Sequence, residues 1–439
     1  MAQRQPIAPS LQSPDAELTG KIIASVKSAM SEQLEFTQDL VRCPSVRGQE
    51  HTAQDYLFQA MKSRGLAMDR WAIDVNDLKS HPGFSPVSVS YENAINVVGT
   101  HRPIQEQGRS LILNGHVDVV PVGPLDMWDR PPFEPHIDGD WLYGRGSGDM
   151  KAGLVANIFA MDALKRIGFQ PAATVYLQSV TEEECTGNGA LSALVRGYRA
   201  DAALIPEPIN EALVRTNVGV IWFRVHVKGR PAHVAAASSG SNAIDAAAFL
   251  IGELKTFEAG RNAKKSEFAR FADLEKPINV NVGKIEGGDW ASSVPAWCSF
   301  DVRTGLYPGE DARQAATEIE NFIRQACGKD PFLSNNPPEV EFNGFMAEGY
   351  ELEEGTDAER ALTVAHQTIT DQELQSTTSL AYLDGRVFVL YDDTPCLVYG
   401  PMSENIHGFD EKVSIQSIEN VTCTIALYIA LWCGLEPVG

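Results

Sequence analysis

Short apolar runs alternate with amphipathic stretches along most of the chain. Apolar positions at helical spacing predict helices from Ser13 to Val41, from Glu50 to Arg64 and from Met150 to Ile167. Five short apolar runs predict strands, namely Ala94–Gly99, Ser110–Asn114, Ala173–Val180, Ala202–Ile205 and Pro395–Tyr399. Strands that alternate with helices predict an α/β fold with a mostly parallel, doubly wound sheet covered on both faces.

One stretch departs from this alternation. From about residue 218 to residue 342 the predicted order is strand, helix, strand, strand, helix, strand, which is that of a ferredoxin-like α+β unit. The predicted strands are Gly219–Lys228, Ile278–Ile285, Ala296–Arg303 and Glu339–Phe342, and the predicted helices are Asn242–Phe257 and Gly309–Cys327. A unit of this size can form its own domain. We therefore expect a discontinuous catalytic domain, residues 1–217 and 346–439, with a lid domain inserted at 218–345.

Composition agrees with a globular protein and limits its partners. The chain has 439 residues, which is more than one hydrophobic core usually supports, and 44% of them are hydrophobic. Its net charge is −22. Nucleic acids and anionic membranes are bound by basic surfaces, so we expect neither as a partner.

The seven cysteines indicate the compartment. They are scattered and contain no CxxC pair, which predicts free thiols in a reducing environment. No apolar export segment follows Met1, and the longest apolar run, Val421 to Leu435, is too short to span a bilayer. We therefore expect a soluble, cytoplasmic protein.

A histidine and an aspartate follow the second predicted strand, in Asn114-Gly115-His116-Val117-Asp118. Residues two apart in an extended chain face the same side, so His116 can face a metal while Asp118 holds its other ring nitrogen. Alone, such a pair is more often a strand-end histidine beside a solvated aspartate.

Asp149 follows a glycine-rich turn, Gly144-Arg145-Gly146-Ser147-Gly148, at the start of the third predicted helix. Glycine-rich turns before helices are also typical of phosphate sites. Here an aspartate stands where the anion would bind, and the positive end of the helix keeps its carboxylate ionised. The pattern therefore favours a metal ligand.

Further acidic and histidine side chains follow three other strands. They are the triplet Glu182-Glu183-Glu184, Glu207 between two prolines, and His407. An acidic triplet alone is typical of a solvated loop, but ligands of open α/β sheets bind at the carboxyl ends of the strands, where all these groups lie. Imidazoles and carboxylates without a thiolate predict a divalent metal site. Five ligands suit two ions that share a bridging carboxylate, with a spare carboxylate as general base.

Several motifs resemble the M20-type metallopeptidase and deacylase family, which contains acetylornithine deacetylase, succinyl-diaminopimelate desuccinylase, aminoacylase and glutamate carboxypeptidase. They are Gly115-His116-Val117-Asp118-Val119-Val120-Pro121, Gly144-Arg145-Gly146 with Asp149-Met150-Lys151, Glu183-Glu184 and Pro206-Glu207-Pro208. The resemblance extends over nearly the whole chain, including the inserted domain.

The resemblance implies a role for each candidate ligand. One ion would be bound by His116, Asp149 and Glu207, and the other by Asp149, Glu184 and His407, with Asp149 bridging. Zinc is the expected metal, with cobalt or manganese as alternatives. Glu183 would be the general base. Glu182-Glu183 is the alternative register of the pair, and the spacing to Gly187-Asn188-Gly189 favours Glu183-Glu184.

The resemblance also implies residues around the substrate. His233 would donate to the developing oxyanion and would come, in a homodimer formed through the lid domain, from the other subunit. The alternative is a polar histidine in a turn. Arg303 would clamp a substrate carboxylate, which a guanidinium binds bidentately, and Asn281 would lie beside it. Asp384 and Arg386 match a family motif but have no role assigned by chemistry.

These inferences predict a metal-dependent amidohydrolase, similar to acetylornithine deacetylase, that removes an N-acyl group from an amino acid or related carboxylated amine. The substrate would be a small N-acyl amino acid or short peptide. A dipeptidase or carboxypeptidase of the same family is the alternative, and the spacing after Glu184 favours the deacylase. A non-catalytic binding protein is disfavoured because no ligand or base is missing. A dinucleotide-binding oxidoreductase is disfavoured because the glycine turn does not follow the first strand of a βαβ unit.

Overall fold

The computed structural model describes residues 14–438 together with Ile7, Pro9 and Leu11. Its helices, in chain order, are α1 (Ala16–Arg42), α2 (His51–Ser63), α3 (Val75–Leu78), α4 (Ala152–Arg166), α5 (Asn188–Val195), α6 (Ala243–Asn262), α7 (Ala312–Cys327), α8 (Asp357–Thr370), α9 (Gly385–Tyr391) and α10 (Ile415–Cys433). Its strands are β1 (Ala67–Ala72), β2 (Ile95–His101), β3 (Leu111–His116), β4 (His136–Asp138), β5 (Trp141–Tyr143), β6 (Phe169–Pro171), β7 (Val175–Val180), β8 (Ala203–Ile205), β9 (Leu213–Asn217), β10 (Gly219–Lys228), β11 (Val280–Gly287), β12 (Trp297–Leu306), β13 (Glu339–Glu341), β14 (Met346–Ala347), β15 (Tyr350–Glu351), β16 (Ser376–Ser379), β17 (Cys396–Val398), β18 (Ser403–Glu404), β19 (Lys412–Ser414) and β20 (Leu435–Pro437).

The larger sheet has six strands in the order β1-β2-β7-β3-β8-β17. The four strands from β7 to β17 are parallel, and β1 and β2 are antiparallel at one edge. The prediction of a mostly parallel sheet is confirmed, and all five predicted strands are present. β1 was not predicted because Ala67–Ala72 carries charged side chains and no continuous apolar run, as suits a partly exposed edge strand.

Helices cover this sheet and form the main core. α10 packs against α1, α4 and α8, and every residue from Val421 to Cys433 is buried. Burial of each leucine or isoleucine side chain stabilises the folded state by roughly 1.5–3 kcal/mol, so the burial of α10 contributes much of the stability of this layer. α1 is one helix that begins at Ala16, with Asp15 as its N-cap; the predicted start, Ser13, lies outside the described residues. No helix in the described part of the chain is long and apolar enough to cross a membrane.

A second sheet has the order β11-β12-β10-β13, with β14 also paired to β10. Its strands and the helices α6 and α7 follow the βαββαβ order of a ferredoxin-like unit. On β10, Ile221, Phe223 and Val225 are buried in a separate core with residues of both helices. The alternate residues Trp222 and Arg224 face away from it. The exact domain boundaries, 218–345 for the lid and the flanking segments for the catalytic domain, stay predictions.

The two sheets enclose one large cavity of about 950 Å³. The segments that follow β7 and β8 line one side of it. The face of the second sheet that carries no helices lines the other side, through residues of β10, β11 and β12. The fold thus places the chemically active strand ends of the first sheet opposite an open sheet face of the inserted unit.

Candidate metal centre

His116 is the last residue of β3 and is fully buried. Its Nδ1 lies 2.8 Å from the backbone oxygen of Asp118, and the Asp118 carboxylate is 3.7 Å away. The sequence pattern predicted that the Asp118 carboxylate holds the ring. In the structure the backbone carbonyl of Asp118 holds it instead. An Nδ1–H that donates to this oxygen leaves Nε2 with its lone pair facing the cavity. The Asp118 carboxylate instead accepts a hydrogen bond from the Glu184 N–H, at 3.1 Å.

Asp149 stands between the two histidines. Its Oδ1 lies 3.1 Å from His116 Nε2, and its Oδ2 lies 3.4 Å from His407 Nε2. A carboxylate whose two oxygens face two different imidazoles is placed as a bridging ligand would be. The residue lies at a kink in the segment Ser147–Lys151, directly before α4, and its φ of −112° and ψ of 95° are not helical values.

The glycine-rich turn before Asp149 does bind an anion, but the anion belongs to the protein. The carboxylate of Glu411 is buried and accepts hydrogen bonds from the backbone N–H groups of Gly146, Gly148 and Asp149, each at 3.0 Å. Arg145 donates to the same carboxylate at 2.5 Å. This network fixes the backbone of Asp149. Sequence reasoning missed Glu411, although an acidic residue four positions after His407 was visible.

The glutamate triplet divides its side chains between two environments. Glu182 has a positive φ of 69°, and its carboxylate turns away from the metal ligands. Arg47 binds it through two hydrogen bonds of 2.6 and 2.7 Å, and Tyr91 donates to it at 2.6 Å. Glu183 and Glu184 line the cavity. This arrangement favours Glu183-Glu184 as the functional pair.

The remaining candidates complete two overlapping groups. Glu207, held between prolines after β8, places Oε1 3.7 Å from His116 Nε2. His407, in the left-handed region at a φ of 61°, places Nε2 3.2 Å from Glu184. The ligand atoms of each group lie within 4.8 Å of one another, and the groups are His116 with Asp149 and Glu207, and Asp149 with Glu184 and His407. A third such group joins His116, Glu183 and Glu184.

The charges in this cluster are strongly coupled. Burial raises the pKa of Glu183 and the pKa of Glu207 well above the ordinary value of a glutamate. Glu207 raises the pKa of Glu183 further, and Asp149 raises that of Glu207. Burial lowers the pKa of His116, but Glu207 and Glu183 outweigh it and hold that pKa well above its ordinary value. Carboxylates crowded in one buried place repel one another, and a bound cation would relieve that repulsion.

Arg303 and Asn281 line the opposite side of the cavity. The Arg303 guanidinium donates to the backbone oxygen of Leu380 at 2.6 Å, and no described carboxylate lies within ion-pair distance of it. Burial without such a partner lowers the pKa of Arg303 to about 10.

His233 is not brought into this cavity by its own chain. It is exposed, and its Nδ1 accepts a hydrogen bond from the Ala235 N–H at 3.1 Å. Asp384, in contrast, is buried near the ligands and accepts a hydrogen bond from the Tyr382 hydroxyl at 3.0 Å. Arg386 binds Glu348 and has a structural role.

Comparison with known proteins gives a consistent assignment. Residues 112–431, more than half of the chain, match the family model described as Peptidase family M20/M25/M40. An N-formyl-4-amino-5-aminomethyl-2-methylpyrimidine deformylase from Halalkalibacterium halodurans is 28% identical, covering 95% of this chain and 98% of that relative. A succinyl-diaminopimelate desuccinylase from Dechloromonas aromatica is 25% identical, covering 89% of this chain and 95% of that relative.

The fold has solved counterparts as well. The dipeptidase Dug1p from Saccharomyces cerevisiae matches with a TM-score of 0.76 at 15% identity, over 94% of this chain and 98% of that one. At that identity the likeness concerns the fold alone. The family model covers the motifs from which the resemblance was drawn, so the resemblance is confirmed. The chain belongs to Peptidase family M20/M25/M40, whose members are hydrolases of amide bonds.

Proposed function

We propose that the protein is a two-metal amidohydrolase that removes an N-acyl group from a small amine. The observation that carries the proposal is the pair of overlapping ligand groups that share Asp149, with the Glu183 carboxylate beside them at 3.8 Å from His116 Nε2. A shared carboxylate places two ions close enough to act on one amide.

The donor atoms fit divalent ions. All of them are imidazole nitrogens and carboxylate oxygens, which suit zinc, cobalt and manganese. Oε1 of Glu207 is buried and has no hydrogen-bond partner among the described residues, as expected for an atom reserved for a cation. We propose the ligand sets His116, Asp149, Glu207 and Asp149, Glu184, His407, with zinc as the first candidate metal.

When bound, the ions lower the pKa of the attacking water and polarise the amide carbonyl. Glu183 is placed to accept the proton of that water and to return it to the leaving nitrogen. His116 keeps the tautomer that leaves Nε2 free because the Asp118 carbonyl holds Nδ1. His116, Glu183 and Glu207 are buried, and the limited access of bulk water to them strengthens their electrostatic interactions.

Two lid residues would hold the rest of the substrate. Arg303 is half-buried and has no carboxylate partner among the described residues, so a substrate carboxylate or another acceptor could bind its guanidinium. Asn281 lies opposite Arg303 on the neighbouring strand and can hydrogen-bond the same group.

The acyl assignment draws on the relatives. Both the deformylase and the desuccinylase cover nearly the full chain, and both are named for removing an acyl group. The dipeptidase likeness concerns the fold, and a dipeptidase is the second candidate for that reason. Formyl, acetyl and succinyl groups are therefore the acyl groups to test first.

We further propose a homodimer formed through the lid domain, working in the cytoplasm. β11 is an edge strand with mostly exposed residues, and Trp290 beyond it is 73% exposed. Such a face favours association. The exposed His233 could then reach the cavity of the partner subunit and donate to the oxyanion. All seven cysteines are free, which agrees with a reducing compartment.

A substrate screen tests the proposal. The chain is freed of metal by chelation, reloaded with zinc, cobalt or manganese, and assayed against N-formyl, N-acetyl and N-succinyl amines and against dipeptides. We expect hydrolysis of N-acyl amines that is lost on chelation and regained on reloading. Hydrolysis of dipeptides without hydrolysis of N-acyl amines would contradict the proposal and favour the dipeptidase function instead.

A further inference from the structure

The open face of the lid sheet presents three side chains in one row. Trp222 on β10 lies opposite Arg303 on β12, and Arg303 lies opposite Asn281 on β11. Directly opposed residues of antiparallel strands project from the same face. All three line the cavity that contains the metal ligands. An indole, a guanidinium and an amide thus stand side by side across from the reacting centre.

Trp222 belongs to a set of aromatic residues that we call the aromatic wall, formed by Trp222, Phe345 and Tyr382. The Phe345 ring lies edge-on to Trp222 at 5.1 Å between ring centroids, and it packs against Tyr382 at 4.3 Å. Phe345 and Tyr382 are buried, whereas Trp222 is only half-buried. Because Phe345 and Tyr382 support it from behind, the open part of the indole faces the cavity.

The wall is built directly against the loop that carries Glu183 and Glu184. Gly187 has no room for a Cβ because the Tyr382 hydroxyl occupies that position. A Cβ on Gly344 would lie 2.6 Å from the Trp222 ring and 3.1 Å from the Cys185 carbonyl oxygen. A group that packs on this wall is therefore held next to the amide on which the metal site acts.

The charges beside the wall favour a neutral ring over a basic side chain. The one acidic residue on the lid side of the cavity, within the described residues, is Asp301. It is already bound by Arg224 through two hydrogen bonds of 2.6 and 2.7 Å. An alkylammonium side chain would find no free carboxylate there, whereas a flat ring would gain contact with the indole.

We propose that the cavity selects N-acyl amines whose amine portion carries a planar aromatic or heteroaromatic ring, with Trp222 as the specificity-determining residue. This inference rests on the proposed amidohydrolase function. The ring packs on the open part of Trp222, Arg303 beside it binds an acceptor group of the same portion, and the acyl group points to the metal ligands.

Kinetics with matched substrates test the inference. N-acyl derivatives of phenylalanine, leucine and ornithine are compared, all with the acyl group that the metal-loaded enzyme hydrolyses fastest. We expect kcat/KM for the phenylalanine derivative to exceed that of the other two by about tenfold or more, the size of one aromatic contact with its burial.

Substitutions at the wall assign the preference to Trp222. Trp222→Leu should lower kcat/KM for the phenylalanine derivative by about tenfold, mainly through KM, and change the leucine derivative by less than about twofold. Trp222→Phe should keep the preference. Trp71→Leu is the control, because Trp71 stacks on Tyr198 and does not line the cavity. Equal losses for all substrates in Trp222→Leu, or no preference in the wild type, would overturn the inference.

Calorimetric binding separates this inference from the proposed function. If no N-acyl amine is hydrolysed, the proposed function fails. Tighter binding of the phenylalanine derivative by the wild type, lost in Trp222→Leu, would then still support the aromatic selectivity. Equal binding of all three derivatives would refute it.

Discussion

Each of the three glutamates after β7 has a different set of partners. Glu182 is neutralised by Arg47, Glu184 faces His407, and Glu183 faces His116 from the cavity wall. The three glutamates are identical in the sequence but differ in their charged partners. Glu184 belongs to the proposed ligand set with Asp149 and His407, so Glu183 is the carboxylate of the triplet that is left for proton transfer.

We expect Glu183→Gln to lower turnover by about 10²–10⁴-fold and to leave the metal content unchanged, because an amide cannot accept the proton. Glu182→Gln should keep far more turnover but lower the free energy of unfolding by about 3 kcal/mol, since it breaks a buried ion pair. Steady-state kinetics, metal analysis and urea unfolding measure these effects. The reverse pattern of turnover loss would show that Glu182-Glu183 is the functional pair.

Glu411 acts on the site through the backbone of Asp149. Glu411→Gln keeps the shape of the side chain but weakens its bonds to Arg145 and to three backbone N–H groups. We expect metal affinity to fall by about 10–100-fold, as for other residues that orient ligands. Competition with a chelator measures it. Glu404→Gln is the control, because Glu404 is exposed and its one ion pair among the described residues is with Lys412. Equal effects of the two variants would refute the role of Glu411.

At the scale of residues, the sequence pattern indicates the candidate metal ligands more readily than the residues that hold them in place. His116 and Glu207 directly follow strands, and position after a strand is visible in a hydrophobic pattern. Glu411 acts through hydrogen bonds to groups that are far away in sequence, such as the Asp149 N–H. Such contacts depend on how loops meet in three dimensions, so no local pattern predicts them.

The turn after Glu184 connects the proposed metal ligands to the aromatic wall. It ends at Gly187, which has a φ of 71° and is the N-cap of α5. Tyr382 presses on it from the segment before α9. The contact between Gly187 and Tyr382 thus positions both Glu183, the proposed general base, and the aromatic wall.

Gly187→Ala should therefore cost both stability and turnover. Gly197→Ala is its matched control, since Gly197 also has a positive φ, 101°, but has nothing within 4 Å of an added Cβ. Both variants carry roughly 1–2 kcal/mol of backbone strain. Only Gly187→Ala also displaces Tyr382, so its loss of unfolding free energy should be clearly larger and accompanied by lower kcat. Equal losses in unfolding experiments would contradict this packing.

Element prediction succeeded where apolar runs were continuous. β3, β7 and β8 are almost wholly buried, and each contains a continuous apolar run, namely Leu111–Leu113, Val175–Leu177 and Ala203–Ile205. The short strands of the small sheets, such as β5 and β19, have only three residues each and no periodicity to detect. The kinked segment Ser147–Lys151 before α4 is held by hydrogen bonds to Glu411, which is far away in sequence.

On the scale of the whole molecule, the site needs both sheets. The segments after the strands of the first sheet carry the proposed metal ligands, and the second sheet contributes Arg303, Asn281 and Trp222 to the cavity. The order of elements predicted this division, because a strand-helix rhythm is interrupted and then resumes. His233 is exposed and does not line the cavity of its own chain, so its expected role depends on how one lid domain lies beside another.

Mixing two inactive variants tests the homodimer. If His233 acts on the partner's site, His233→Ala and Glu183→Gln should each be nearly inactive, and their mixed dimer should regain up to about half of the activity of one wild-type dimer, from its single intact site. Size-exclusion chromatography with light scattering gives the oligomeric state. A monomer, or full activity of His233→Ala, would exclude the proposed role.

The central claim is that Asp149 bridges two divalent ions. Titration of the metal-free chain with zinc or manganese, followed by calorimetry and by activity, tests it most directly. We predict two ions bound for each chain, with activity rising in step with their binding, and loss of both ions and of activity in Asp149→Asn. Binding of a single ion with full activity, or unchanged two-ion binding in Asp149→Asn, would contradict the account.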